Sequence, residues 1–164
     1  MRAAALPLLL GSALLLPSAA VAGAPHRGAG HWGIGVGGGT TGAGVSAKTF
    51  LSDSQALQGV VGLYGGWGQG TQGIGLNADW LWEMPTLAEG EPVELAWNAG
   101  LGAGTWLFPE ANALGVGVSG VLGLELAFKP VPLDLVIEYR PTLSVLPGIW
   151  LDPLAFTGHL RWFF

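Results

Sequence analysis

Ten ionisable side chains stand out because an otherwise greasy chain has little reason to carry them: Lys48, Arg140, His159 and Arg161, with Asp79, Glu83, Glu94, Glu125, Asp134 and Glu138. Each lies in a run where apolar residues recur at every second position. In Leu133–Arg140, Asp134, Glu138 and Arg140 alternate with Leu133, Leu135, Ile137 and Tyr139. Successive side chains of a strand point to opposite faces, so this spacing puts every charge on one side of a sheet and the grease on the other. Charges held away from water are costly unless they pair, so the set reads as a structural ion-pair network. The sharper alternative is a proton or ion path, or acid/base chemistry by one carboxylate with His159.

Other constellations are weaker. Ser46 or Ser119 with His159 and Asp79 can be written as a hydrolase triad, but all four belong to the charged face, and the apolar rows hold no Ser/His pair. The glycines from Gly35 to Gly39 are not a phosphate loop, since no helix opening on Lys-Ser/Thr follows. His26, His31 and His159 are scattered and there is no cysteine, so neither a metal site nor a cofactor is expected. Beyond residue 22, five Lys and Arg face eleven carboxylates, a balance that disfavours nucleic acid as a partner.

The elements that position these charges follow from turn chemistry. Strands are predicted at about His31–Gly37, Gly42–Leu51, Gln55–Gly66, Thr71–Met84, Val93–Leu107, Leu114–Phe128, Leu133–Leu143 and Phe156–Phe164. Connections are read at Gly38–Thr41, Ser52–Ser54, Gly68–Gly70, Pro85–Pro92, Phe108–Ala113, Lys129–Pro132 and Pro147–Pro153. The last run is the plainest: Phe156, Gly158, Leu160, Trp162 and Phe164 alternate with Thr157, His159, Arg161 and Phe163. Eight such strands with short connections predict an all-β fold, an antiparallel up-and-down barrel. Most runs reach the roughly nine to eleven residues that a tilted strand needs to cross a bilayer core.

Composition decides which way the barrel is turned. Half of the residues are hydrophobic, a tenth are charged and 29 are glycine. A soluble domain carries about a quarter charged residues to wet its surface. A soluble lipocalin-like barrel would have the same strand count with charges outside, and this chain lacks the charges. The expectation is therefore a transmembrane barrel with apolar rows in lipid and polar rows in the lumen. Trp32, Trp67, Trp80, Trp82, Trp97, Tyr139, Trp150 and Trp162 lie mostly near strand ends or along the apolar rows, as interfacial girdles do.

The first residues agree. Arg2, the apolar run Ala3–Leu16 and the small-x-small Ala20-Val21-Ala22 read as an export signal, removed to leave a mature chain of residues 23–164.

Four stretches carry a family resemblance: Gly44-Val45-Ser46-Ala47-Lys48, Asn77-Ala78-Asp79-Trp80-Leu81-Trp82, Leu122-Gly123-Leu124-Glu125 and Val131-Pro132-Leu133-Asp134-Leu135-Val136-Ile137-Glu138. They resemble the small Bapko-like outer-membrane β-barrels, which look like OmpA and OmpX in architecture. The resemblance implies an eight-stranded barrel in the outer membrane of a Gram-negative cell, in a family with no single settled activity. Phe164, with Trp162 two residues before it, resembles the aromatic C-terminal signal read by the outer-membrane assembly machinery. The heavy glycine load and short outer loops depart from the family's pattern and argue against adhesin-like loop functions.

The expected function is structural or surface-interacting: a non-catalytic, monomeric, porin-like barrel of the cell envelope whose partners are outer-membrane lipid and the assembly machinery. The alternatives are a membrane-embedded lipid-modifying enzyme and a soluble ligand-binding barrel. Within the lumen, a half closed by the ion pairs is expected at the end that holds the termini. At the other end Gly35, Gly37, Gly62, Gly66, Gly73, Gly75, Gly102, Gly104, Gly115 and Gly117 would wall a narrow vestibule partly filled by Tyr64 and Trp106. The alternative there is that these glycines permit close strand approach and the barrel is filled throughout.

Overall fold

The computed structural model describes residues 24–40, 42–65, 73–109 and 112–164. The export signal called at residues 1–22 lies outside them, as do Gly66, Trp67, the Gly68–Gly70 turn and the first two residues of the predicted fourth strand.

Among the described residues there is no α-helix. The strands are β1 Trp32–Gly39, β2 Gly42–Ser52, β3 Gln55–Tyr64, β4 Gly73–Glu83, β5 Ala88–Glu89, β6 Val93–Phe108, β7 Ala113–Phe128, β8 Leu133–Tyr139, β9 Thr142–Leu146, β10 Trp150–Asp152 and β11 Phe156–Phe163. All pair antiparallel. Each long strand bonds the next in sequence, and β1 closes the ring on β11, with Gly33 opposite Phe163 and Gly39 opposite Thr157. The ring has eight staves, because β8 with β9 and β10 with β11 act as two interrupted strands.

Those interruptions differ from the sequence reading. The predicted run Leu133–Leu143 breaks after Tyr139, where Arg140 and Pro141 leave the ladder, because proline has no N–H to donate. The chain then rejoins β7 as β9, across a bulge at Val116/Gly117. Within the predicted loop Pro147–Pro153, Trp150–Asp152 pairs back onto β9 as β10. The loop Pro85–Pro92 likewise contains β5, which pairs with β6.

The barrel is inside-out relative to a water-soluble one. Outward side chains on every stave are apolar and exposed, among them Val36, Val45, Val61, Leu76, Leu101, Leu124, Ile137 and Leu160. Among the described residues, fifteen polar or charged ones are buried against eleven hydrophobic ones, so the interior is mainly polar. Buried apolar side chains gather near the end that holds the chain termini, where Phe50, Ala56, Leu81, Val121 and Phe163 form one cluster. An even number of staves puts β1's start beside β11's end, and the Phe164 amide donates to the Trp32 carbonyl at 2.8 Å. Their rings stack with centroids 4.8 Å apart.

Candidate functional site

All ten ionisable residues singled out in the sequence face the lumen and are buried. The register explains how separate strands deliver them to one place. Arg161 of β11 stands opposite Asp134 of β8, and Gln58 of β3 opposite Asp79 of β4. Alternation then brings Lys48 of β2, Glu83 of β4, Glu94 of β6 and Glu125 of β7 to the same interior.

Two connected clusters result. Nearer the termini, Lys48 Nζ pairs with Glu125 at 2.5 Å and with Glu83 at 2.8 Å. Arg27 completes the ring: Nε donates to Glu125 at 3.0 Å, Nη2 to Glu83 at 3.1 Å and Nη1 to Glu94 at 2.5 Å. Glu94 also accepts from the Thr86 hydroxyl and from the Ala24 amide, each at 2.6 Å. The Lys48 ammonium lies over the Phe50 ring, 4.6 Å from its centre, so an aromatic face also contacts it.

Deeper in the barrel, Arg140 grips Asp79 with both terminal nitrogens, each at 2.7 Å, and donates to Glu138 at 2.8 Å. His159 Nε2 lies 3.2 Å from Glu138. Arg161 donates to Asp134 from Nε and Nη2, the shortest contact being 2.8 Å. Gln58 joins these groups: its amide nitrogen donates to Glu138 at 2.7 Å and Asp79 at 3.2 Å, while its oxygen accepts from Arg161 Nη1.

Arg27 and Gln58 are the members that sequence reasoning missed. Arg27 belongs to a lead-in, Ala24–Gly30, that the sequence reading took as a polar preamble to the barrel. The Arg27 side chain is instead 11 % exposed and spans three carboxylates. A signal was present: the strands predicted from the sequence supply six carboxylates to the charged face but only three permanent cations, Lys48, Arg140 and Arg161, so a further cation had to come from outside them. Next to Arg27, His26 is buried against Phe163 with ring centroids 5.0 Å apart. Burial pushes its imidazole below the ordinary histidine pKa, a shift only partly countered by the Glu125 carboxylate. The Arg27 guanidinium is held above its usual range: burial opposes this, and Glu125, Glu83 and Glu94 together outweigh it.

The serine constellation is not assembled. Among the described residues Ser46 Oγ and His159 Nδ1 have no hydrogen-bond partner, and the carboxylate on His159 is Glu138, not Asp79. Ser119 lies 3.5 Å from Arg140. No group of three metal-ligating side chains occurs among the described residues.

At the other end, Gly102, Gly104 and Gly115 serve as landing places for side chains from neighbouring strands, while Gly35 and Gly62 lie against neighbouring backbone. A Cβ on Gly115 would fall 1.9 Å from the Trp106 indole nitrogen, and one on Gly102 would fall 2.1 Å from Asp79 Oδ1. Trp106 stacks with Tyr64 at 6.4 Å between centroids, and Tyr64 is hydrogen-bonded by the Asn77 amide. Tyr64 and Trp106 lie in this half as expected, but among the described residues they leave no open vestibule, only partial filling having been expected. Among the described residues, Gly37, Gly42, Tyr64, Asn77, Arg140 and Thr157 line a crevice of about 10 Å³. That is room for about one water.

Comparison with protein-family models, with curated proteins and with solved structures finds no match to this chain.

Proposed function

We propose that this chain is an integral outer-membrane β-barrel with a structural or surface-interaction role, whose lumen is closed by the ion-pair network and which performs no catalysis. The observation that carries the proposal is the polarity of the wall: apolar side chains face outward on every stave while the charges are enclosed. Exposed contiguous apolar surface on a soluble monomer rarely exceeds a few hundred Å². In a bilayer the same surface is matched to its solvent, and a closed ladder leaves no backbone edge unsatisfied. The aromatic groups support this placement, with Trp32, Trp82, Trp162 and Phe164 exposed near the termini and Trp150 exposed toward the opposite end.

Two further readings belong to the same proposal. Residues 1–22 act as an export signal, which places the termini and the Arg27 cluster on the periplasmic side. The chain is a Bapko-like barrel in the sense of the four stretches quoted above, the strongest of which, Val131–Glu138, runs into β8 and supplies Asp134 and Glu138 to the lumen. The test is fractionation of expressing cells together with gel mobility. The protein should sediment with outer membranes and migrate differently before and after boiling in SDS, as closed barrels do. Recovery in the soluble periplasmic fraction without detergent would refute the proposal.

A further inference from the structure

Beside the ion pairs, the end of the barrel that holds the termini carries an open cleft of about 480 Å³. Sites for small organic molecules span about 300–1,000 Å³, so its size suits one. Two loops form its lips. The turn between β2 and β3 contributes Asp53 and Ser54, and the chain leaving β4 contributes Met84 and Thr86. The lips are tied together, since the Glu83 amide donates to the Ser54 carbonyl at 3.0 Å. Arg27, Phe50 and Glu83, all largely buried, make the floor.

That floor is negative. Three carboxylates, Glu83, Glu94 and Glu125, share two cations, Arg27 and Lys48, which leaves one formal negative charge over. Asp53 adds a second at the rim, exposed and in no ion pair among the described residues. The lining also offers acceptors more than donors. Each guanidinium nitrogen of Arg27 already donates to a carboxylate. Thr86 spends its one hydroxyl hydrogen on Glu94 and keeps its lone pairs. Glu83 Oε1 accepts no hydrogen bond among the described residues, although Lys48 Nζ lies 2.8 Å away. A guest that fits must therefore bring N–H donors and a positive charge. It must also bring hydrocarbon, because Phe50 and Met84 give the cleft an apolar side. A bare metal ion brings neither donors nor hydrocarbon.

We propose that the cleft binds a small primary alkylammonium. Its three N–H donors meet the lone pairs of Asp53 and Thr86, and its charge answers the surplus on the carboxylates beneath. The alkyl chain lies along Phe50 and Met84. Between the lips the ion pair is partly shielded from water, where it is worth more than on an open surface. The site goes beyond the structural role proposed above and does not depend on whether lipid or water surrounds the wall.

The test is titration of the full chain, folded in detergent micelles, with n-butylammonium chloride at constant ionic strength, read by amide nuclear magnetic resonance. Saturable shifts should centre on the amides of Asp53, Ser54, Met84 and Thr86. Butan-1-ol, which has the same chain without the charge, and butyrate, which has the opposite charge, should produce none. Asp53→Asn removes an exposed carboxylate from a turn, so the barrel amides should stay in place while affinity falls about tenfold. Glu89→Gln removes an exposed carboxylate that pairs with Lys129, and affinity should not change. Shifts that never saturate, equal shifts with butan-1-ol, or unchanged affinity in Asp53→Asn would overturn the proposal. So would an equal loss in Glu89→Gln, which would reduce the effect to overall charge. Because micelles serve for either surroundings of the wall, failure of the membrane reading would leave this result standing, and the reverse.

Discussion

Replacing Arg161 by methionine removes the cation that satisfies Asp134. In the wild-type barrel the guanidinium donates to Asp134 from two nitrogens and to Gln58 from a third, and neither Arg161 nor Asp134 has any side-chain exposure. Methionine approximates the volume, so the cavity term is small and the loss is chiefly electrostatic. Stripping one partner from a buried ion pair costs about 3–5 kcal/mol, which is roughly two to nearly four powers of ten in the folded-to-unfolded ratio. The double variant Arg161→Met/Asp134→Leu removes both charges at once, and replacing a whole buried pair by apolar groups is often neutral or stabilising. It should therefore be more stable than Arg161→Met alone, even though it carries one more substitution. Urea titration of the barrel in detergent micelles, followed by tryptophan fluorescence, measures both. An unchanged midpoint for Arg161→Met would refute the reasoning, as would a double variant that loses the sum of the two single changes.

Two other outcomes follow from the end of the barrel that holds the termini. His26 is neutral and buried in the folded barrel, and in the unfolded chain it titrates near its ordinary pKa of 6.5. Below that pH the unfolded state binds more protons, so stability should fall as pH drops through 6.5 and continue down to the lowered folded pKa. Comparing urea midpoints from pH 8 to pH 5 for wild type and His26→Leu tests this, and parallel curves would contradict it. Deleting Phe164 removes the ring stacked on Trp32 and the amide that closes the seam, so export should continue while assembly falls, with mature-length protein accumulating in the periplasm. Normal outer-membrane levels of the truncated chain would contradict the role given to Phe164 and Trp162.

The barrel was legible in the sequence because period-two alternation and lumen polarity are the same physical fact written twice. Leu133, Leu135 and Ile137 face out and Asp134, Val136 and Glu138 face in, as the spacing requires. Register, and with it the pairing of charges, was not legible. Alternation says that Arg161 and Asp134 share a face, but only the ladder sets them opposite each other. Arg27 was hidden for a different reason, since it lies in no strand and has no periodicity to betray it; only the charge balance of the lumen asks for it. The split of the seventh stave at Arg140–Pro141 could have been read from the proline. The return of Trp150–Asp152 as a strand depends on pairing with β9, which three residues cannot announce. The glycines left two readings open, and the structure favours filling, because Trp106 and Asp79 occupy the space that side chains at Gly115 and Gly102 would need.

The central claim is that the apolar wall faces lipid. Its most direct measurement is tryptophan fluorescence of the protein reconstituted in vesicles whose acyl chains carry bromine, a short-range quencher. Trp32, Trp80, Trp82, Trp150 and Trp162 all point outward from the barrel, whereas Trp106 points inward. Strong quenching of the intact protein is expected. A variant that keeps Trp106 as its only tryptophan should be quenched far less than one that keeps only Trp80. Fluorescence indifferent to brominated lipid, in protein shown to be folded, would contradict the account.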